Sequence, residues 1–278
     1  MLPLIEASEL KLLNKDSYVL IDARGFGNSR ERYKQGHLQG ALYVDLEELA
    51  AHPEDPAFGG RHPLPALPDF TTLLGRLGIT PQSHVIVYDD KGAANPAARF
   101  WWMLKAIGHQ KVQVLNGGLQ VAINAGLPVT TEVSATPKPT AYNAAHDFTG
   151  MVVLEDVAKA AQSPDSIVID VREAPRYLGH TEPLDLVAGH IPGAINVPYN
   201  TNMNADNQYL TAEELKANYE KVFDGKQPGQ VIVHCGSGVT ACHTLLALEQ
   251  AGFKGARLYV GSWSEWSRRD LPIATGDV

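Results

Sequence analysis

A chain of 278 residues exceeds the usual size of one domain and supplies two, each large enough to bury a core of its own. With 44% hydrophobic and 19% charged residues it has the composition of a globular protein, and no apolar run reaches membrane-spanning length. A net charge of −8 leaves no basic excess to neutralise phosphates, so neither nucleic acid nor a membrane is expected as a partner. The opening MLPLIEASEL has no basic stretch ahead of an apolar one, so no secretory signal is expected. Two cysteines imply no disulfide framework, and a reducing cytoplasm is the expected compartment.

In chain order, the β-branched run at Tyr18–Ile21 predicts a strand, and the block Val19 to Arg24 carries it to a polar end at Asp22 and Arg24. A turn follows at Gly36-His37-Leu38-Gln39-Gly40-Ala41. Strands are predicted at His84–Tyr88 and Val112–Leu115, with a helix over Pro96–Ile107 between them, its proline in the first turn. Residues 131–149 hold prolines, threonines and alanines without an apolar period, which predicts an extended linker. Beyond it the same blocks return in the same order. Val168 to Arg172 repeats the first strand and its Asp-Arg end, and Gly189-His190-Ile191-Pro192-Gly193-Ala194 repeats the turn. Val231-Ile232-Val233-His234 repeats Val85-Ile86-Val87-Tyr88, and Asp270-Leu271-Pro272-Ile273 echoes Gly126-Leu127-Pro128-Val129. Such an order indicates a tandem duplication, with domains at 1–130 and 150–278. Strands alternating with helices predict an α/β fold in each domain, a mainly parallel sheet flanked by helices. Ligands of such sheets sit at the carboxyl ends of strands, so the loops after Val87 and Val233 are the places to seek chemistry.

Those two loops differ. The second carries Cys235-Gly236-Ser237-Gly238-Val239-Thr240 and leads into a helical run, Ala241 to Gln250; the first has Asp89 where the cysteine would stand. A cysteine at a strand end, followed by small residues and a helix, suits a nucleophile. Gly236 and Gly238 let the backbone curl so that N–H groups converge beside the helix start and stabilise a sulfur anion. The simpler reading, a buried cysteine that only packs, fits Cys242 inside the helix better than Cys235. A metal site built from His234, Cys235, Cys242 and His243 matches no compact ligand spacing and is rejected.

These residues resemble the tandem rhodanese family over nearly the whole chain. The resemblance rests on Asp170-Val171-Arg172, Gly189 to Ala194, and Val260-Gly261-Ser262-Trp263-Ser264-Glu265-Trp266. In the first half it rests on Phe100-Trp101-Trp102-Met103 and Leu115-Asn116-Gly117-Gly118. It implies two tandem rhodanese-like domains, the first without the cysteine, and a catalytic Cys235 within the loop to Thr240. Within the family the loop is similar to that of members acting on 3-mercaptopyruvate, whereas members preferring thiosulfate carry basic residues where this chain has Gly236 and Ser237. Arg176 matches the family's substrate-anion arginine. A second arginine expected nine residues later is Asp185 here, a carboxylate that would repel an anionic donor. His37 matches a histidine that works with the loop serine, here Ser237.

The resemblance implies a sulfurtransferase that passes a sulfane sulfur from 3-mercaptopyruvate, through a Cys235 persulfide, to a thiol, a thioredoxin-like protein or cyanide. Thiosulfate is the alternative donor. Gly236, Gly238, Val239 and Thr240 would shape the substrate loop, and no cofactor or metal is required. Two other classes compete. A cysteine phosphatase needs an arginine after the loop to grip phosphate, where this chain has Ala241. A non-enzymatic persulfide carrier would not need the full loop retained here.

Overall fold

The structure is a computed structural model and describes residues 1–94 and 96–276. Two compact units account for it, each built on a five-stranded parallel sheet. Strands β1 (Leu4–Ile5), β2 (Val19–Arg24), β3 (His37–Leu38), β4 (Leu42–Asp45), β5 (Val85–Tyr88), β6 (Val112–Leu115) and β7 (Val129–Thr130) belong to the first unit. Its sheet runs β1-β6-β5-β2-β4, and β3 and β7 form a separate antiparallel pair. The second unit contains β8 (Met151–Val152), β9 (Ile167–Asp170), β10 (Ile195–Asn196), β11 (Val231–His234) and β12 (Arg257–Tyr259). Read from β8, its order is β8-β12-β11-β9-β10, the same topology. The central strands β5, β9 and β11 are buried along their whole length, which is why they read as unbroken apolar runs rather than as alternating ones.

The duplication extends to register and to single hydrogen bonds. Asp22 lies opposite Tyr88 across β2 and β5, and Asp170 lies opposite His234 across β9 and β11. Arg24 bonds Asp22 and the carbonyl of Gly36; Arg172 bonds Asp170 and the carbonyl of Gly189. Both ion pairs are almost wholly buried, so removing either partner would strand a charge in the core. His37 pairs with Thr130, and His190 forms a bridge with Ala274 at the equivalent place.

Local order follows the sequence signals. The helix predicted from Pro96 spans Pro96–Ala106, and the helix after the cysteine loop spans Ala241–Gln250. Residues 131–149 form neither helix nor strand and are tied along the first unit, Thr140 N–H to Gly75 O and Thr149 N–H to Ala106 O. The units are not continuous in sequence. Residues 52–64 pack with the second unit, and residues 205–209 pack with the first, where Tyr209 N–H donates to Asn116 Oδ1. Among the described residues no helix is long and apolar enough to cross a membrane.

Candidate active site

Strand β11 ends at His234 and delivers Cys235 to the start of the loop. The loop backbone is pinned by the helix Ser262–Trp266. Cys235 N–H donates to Ser262 Oγ at 3.2 Å, while Trp263 N–H and Ser264 N–H donate to the carbonyls of Cys235 and Gly236 at 3.0 and 2.8 Å. Gly238 adopts φ +73°, and a Cβ there would meet Val260 O at 2.4 Å, so conformation and space both require glycine. Val239 is buried, and its carbonyl accepts from Cys242 N–H as the following helix begins. Cys242 packs in that helix with its thiol on Gly238 O.

Cys235, Gly236 and Thr240 line a cleft of about 180 Å³ together with Arg172, Glu173, Arg176 and Tyr199. Cys235 is 3% exposed, a position deep in the cleft. Its charged wall is held by carboxylates below it. Arg172 pairs with Asp170 and Glu182 and lies over the ring of Trp263, 4.7 Å from its centroid. Burial works against the Asp170 charge, but the Arg172 guanidinium and the neighbouring His234 outweigh it and hold that carboxyl below the usual range. Burial pushes His234 down, against the opposing pull of Asp170 at 3.8 Å. Arg176 is gripped by Glu182, with Nη2 to Oε1 at 2.7 Å, and also reaches Asp185 at 3.4 Å.

Asp185 does not act as the sequence suggests. Its side chain is fully buried and bound by three guanidiniums, Arg61 through two bonds of 3.0 and 3.2 Å, Arg268 at 3.0 Å, and Arg176. A carboxylate so outnumbered presents no free charge to repel an anion; it fixes cations in place.

The histidine on Ser237 is also not the expected one. Nδ1 of His62 and Oγ of Ser237 share a 2.8 Å hydrogen bond. His37 instead has a fully buried ring stacked on Tyr33 at 3.7 Å, with Nδ1 on the Tyr33 carbonyl at 2.8 Å. His190 repeats this, stacked on Tyr177 at 3.7 Å with Nδ1 on its carbonyl at 2.8 Å. The two histidines are one structural device present in both units, which removes the reason to give His37 a catalytic part. Arg61 and His62 open a proline-rich stretch, Arg61 to Pro65, that has no periodic or catalytic signature of its own.

The first unit records what such a loop binds. The buried Asp89, at the position equivalent to Cys235, accepts N–H bonds from Lys91 at 2.8 Å and Ala93 at 2.9 Å through Oδ1, and from Ala97 at 3.4 Å through Oδ2. In the first unit the loop after the strand is therefore a nest of N–H donors filled by a carboxylate.

The rhodanese-like domain model matches residues 6–124 and again residues 153–269. This chain belongs to the rhodanese family. It is 37% identical to a probable 3-mercaptopyruvate sulfurtransferase of Pseudomonas aeruginosa, over 97% of this chain and 94% of that protein. It is equally 37% identical to the thiosulfate sulfurtransferase of Mus musculus, over 89% of this chain and 83% of that one. Among solved structures, a 3-mercaptopyruvate sulfurtransferase from Leishmania major superposes with a TM-score of 0.78 at 29% identity, covering 96% of this chain and 74% of that one. The protein is thus a rhodanese-family sulfurtransferase, an enzyme with two tandem α/β domains. The named relatives include enzymes of both donor classes, so the donor must be argued from this rhodanese's own cleft.

Proposed function

We propose that this rhodanese takes its sulfur from 3-mercaptopyruvate, with Cys235 as the nucleophile. The Cys235 thiolate attacks the donor thiol sulfur and forms an S–S bond. The carbon–sulfur bond breaks, its electron pair becomes the enolate of pyruvate, and one proton converts that enolate to pyruvate. A Cys235 persulfide remains. A thiol, a thioredoxin-like protein or cyanide then attacks the outer sulfur and restores the thiolate. The setting for this chemistry is cytoplasmic.

The observation that carries the reading is the His62–Ser237 hydrogen bond beside the cysteine. Charge develops on the keto oxygen as the carbon–sulfur bond breaks, and an oriented hydroxyl backed by an imidazole stabilises it and supplies the proton. Sulfite leaving from thiosulfate needs no proton on carbon and gains less from such a pair. Arg176 suits the donor carboxylate. Ser237 and Val239 hold the loop positions whose N–H groups bind the Asp89 carboxylate in the first unit, and here they suit the outer sulfur of a persulfide.

Thiosulfate remains the second reading, and one observation favours it. Arg61 and Arg176 both crowd the space beside Gly236, supplying the positive charge that the loop lacks. Comparing kcat/KM for the two donors decides between them; a higher value for thiosulfate overturns the first reading.

A further inference from the structure

One carboxylate of the cleft has no part in holding the donor. Glu173 lines the same cavity as Cys235 and Gly236. Its backbone caps the short helix Ala174–Tyr177, the carbonyl accepting from Arg176 N–H at 3.0 Å, but its side chain makes no cap hydrogen bond. That side chain is exposed, and among the described residues no ion pair engages it. The other acids nearby are all held by guanidiniums. Asp170 is bound by Arg172, Glu182 by Arg172 and Arg176, and Asp185 by Arg61, Arg176 and Arg268. The negative charge of Glu173 is left uncompensated on the cleft wall.

Tyr199 lines the cleft as well. It opens the short turn Tyr199–Asn202 after β10, and its N–H donates to Val171 O at 3.0 Å. Its half-buried ring stands edge-on to His243, with centroids 5.7 Å apart and planes at 83°. His243 belongs to the helix that follows the cysteine loop, so this contact sets the ring relative to that loop. Burial first, and the Glu173 charge second, push the Tyr199 phenol up, so the field of the carboxylate reaches the ring. A carboxylate beside an aromatic ring recognises an ammonium group, by ion pairing and by cation–π attraction.

Either sulfur donor enters as an anion, and an uncompensated carboxylate on the wall opposes it. The cleft receives two reactants in turn, however, because an acceptor must reach the outer sulfur of the Cys235 persulfide. A cationic group on that acceptor makes the Glu173 charge an attraction. We infer that Glu173, with Tyr199 beside it, is a specificity-determining residue of the second half-reaction and favours thiol acceptors that carry an ammonium group near the thiol. In that step the acceptor thiolate attacks the outer sulfur and forms a new S–S bond. The bond between the two persulfide sulfurs breaks, and its electron pair restores the Cys235 thiolate. The acceptor leaves as a persulfide with its ammonium group unchanged. The inference rests on the proposed Cys235 persulfide and not on which donor loads it.

The experiment loads Cys235 with sulfur, confirms the added mass by mass spectrometry, and then discharges it with one of three small thiols. Cysteamine is a cation, 2-mercaptoethanol is neutral and mercaptoacetate is an anion. For each, kcat/KM of Glu173→Gln is divided by that of the unaltered enzyme, which cancels the thiol's own reactivity. At low salt the ratio should fall about 3- to 5-fold with cysteamine, the size of a solvent-screened charge contact. It should stay near one with 2-mercaptoethanol and rise with mercaptoacetate. At about 1 M salt the three ratios should converge, which a merely structural role would not produce. Glu173→Lys should widen the spread in the same order. Tyr199→Leu should weaken cysteamine relative to 2-mercaptoethanol by about 2- to 5-fold, through loss of the cation–π contact. An equal loss with all three thiols would overturn the inference, and so would a cysteamine ratio that stays at one. No added sulfur on Cys235 would overturn the persulfide reading itself, and this inference with it, at the loading step. A preference for thiosulfate in loading would remove the mercaptopyruvate reading alone, and the acceptor order still decides the part of Glu173.

Discussion

His62 Nδ1 lies 2.8 Å from Ser237 Oγ although 175 residues separate them in the chain, because the stretch carrying His62 is part of the unit that carries the cysteine loop. The bond links an acid–base group to a hydroxyl beside Cys235. It also relieves His37 of that part.

The two histidines should therefore fail differently. His62→Asn should lower kcat for 3-mercaptopyruvate by about 10²-fold, the lower end for loss of a general acid, and change thiosulfate turnover only a few-fold. His37→Gln should leave activity per folded molecule near normal but cost about 1–3 kcal/mol of stability, since it removes a stacked and hydrogen-bonded ring from the core. Steady-state kinetics and denaturant titration measure the two effects. Equal kinetic loss in both variants would contradict this assignment.

Cys235→Ser should abolish turnover, and Cys242→Ser should keep most of it. Cys242 bonds Gly238 O through a thiol that a hydroxyl can replace, so the expected cost is stability of about 1–2 kcal/mol. After donor treatment, peptide mass spectrometry should find one added sulfur on the Cys235 peptide. Finding it on Cys242 would reassign the nucleophile.

Gly238→Ala should be far more damaging than Gly236→Ala. The first meets a carbonyl oxygen at 2.4 Å with φ +73°, a backbone clash that must move the loop; about 2–4 kcal/mol and most activity should be lost. The second meets only guanidinium ends, at 3.2 and 3.3 Å, so a shift of a few tenths of an ångström in the ion-paired Arg61 and Arg176 accommodates it. It should retain its fold and show mainly a raised KM, measured against both donors.

Asp89 makes a pH prediction. Burial pushes its carboxyl up to about 6 from an ordinary value of 3.8, against the lowering effect of the N–H bonds from Lys91 and Ala93. Between those values the unfolded chain has lost the proton and the folded one retains it, so stability falls as pH rises from about 4 to about 6. The loss amounts to about 3 kcal/mol. Asp89→Asn keeps an oxygen for both N–H groups and removes the titration. Across this window the unfolding free energy should fall less, or rise more, with pH in the variant than in the unaltered protein, and identical pH dependence would disprove the assignment.

Much of this protein was legible in the order of its residues. The buried parallel strands are unbroken apolar runs, the strand ends repeat as Asp22–Arg24 and Asp170–Arg172, and Cys235 sits between such a strand and a helix. Those features are local, because backbone periodicity and turn chemistry depend on near neighbours. The edge strands β1, β8 and β10 have two residues each and left no periodic signal to read. The identity of the groups around the cysteine was not local at all. The sequence offered His37 for Ser237, and only the packing of residues 52–64 brings His62 there instead. Asp185 read as a repulsive charge until folding surrounded it with Arg61, Arg176 and Arg268. Sequence fixes how many charges a chain has. Which of them neutralise one another, and which are left to meet a donor, depends on distances of a few ångströms that only the tertiary structure sets.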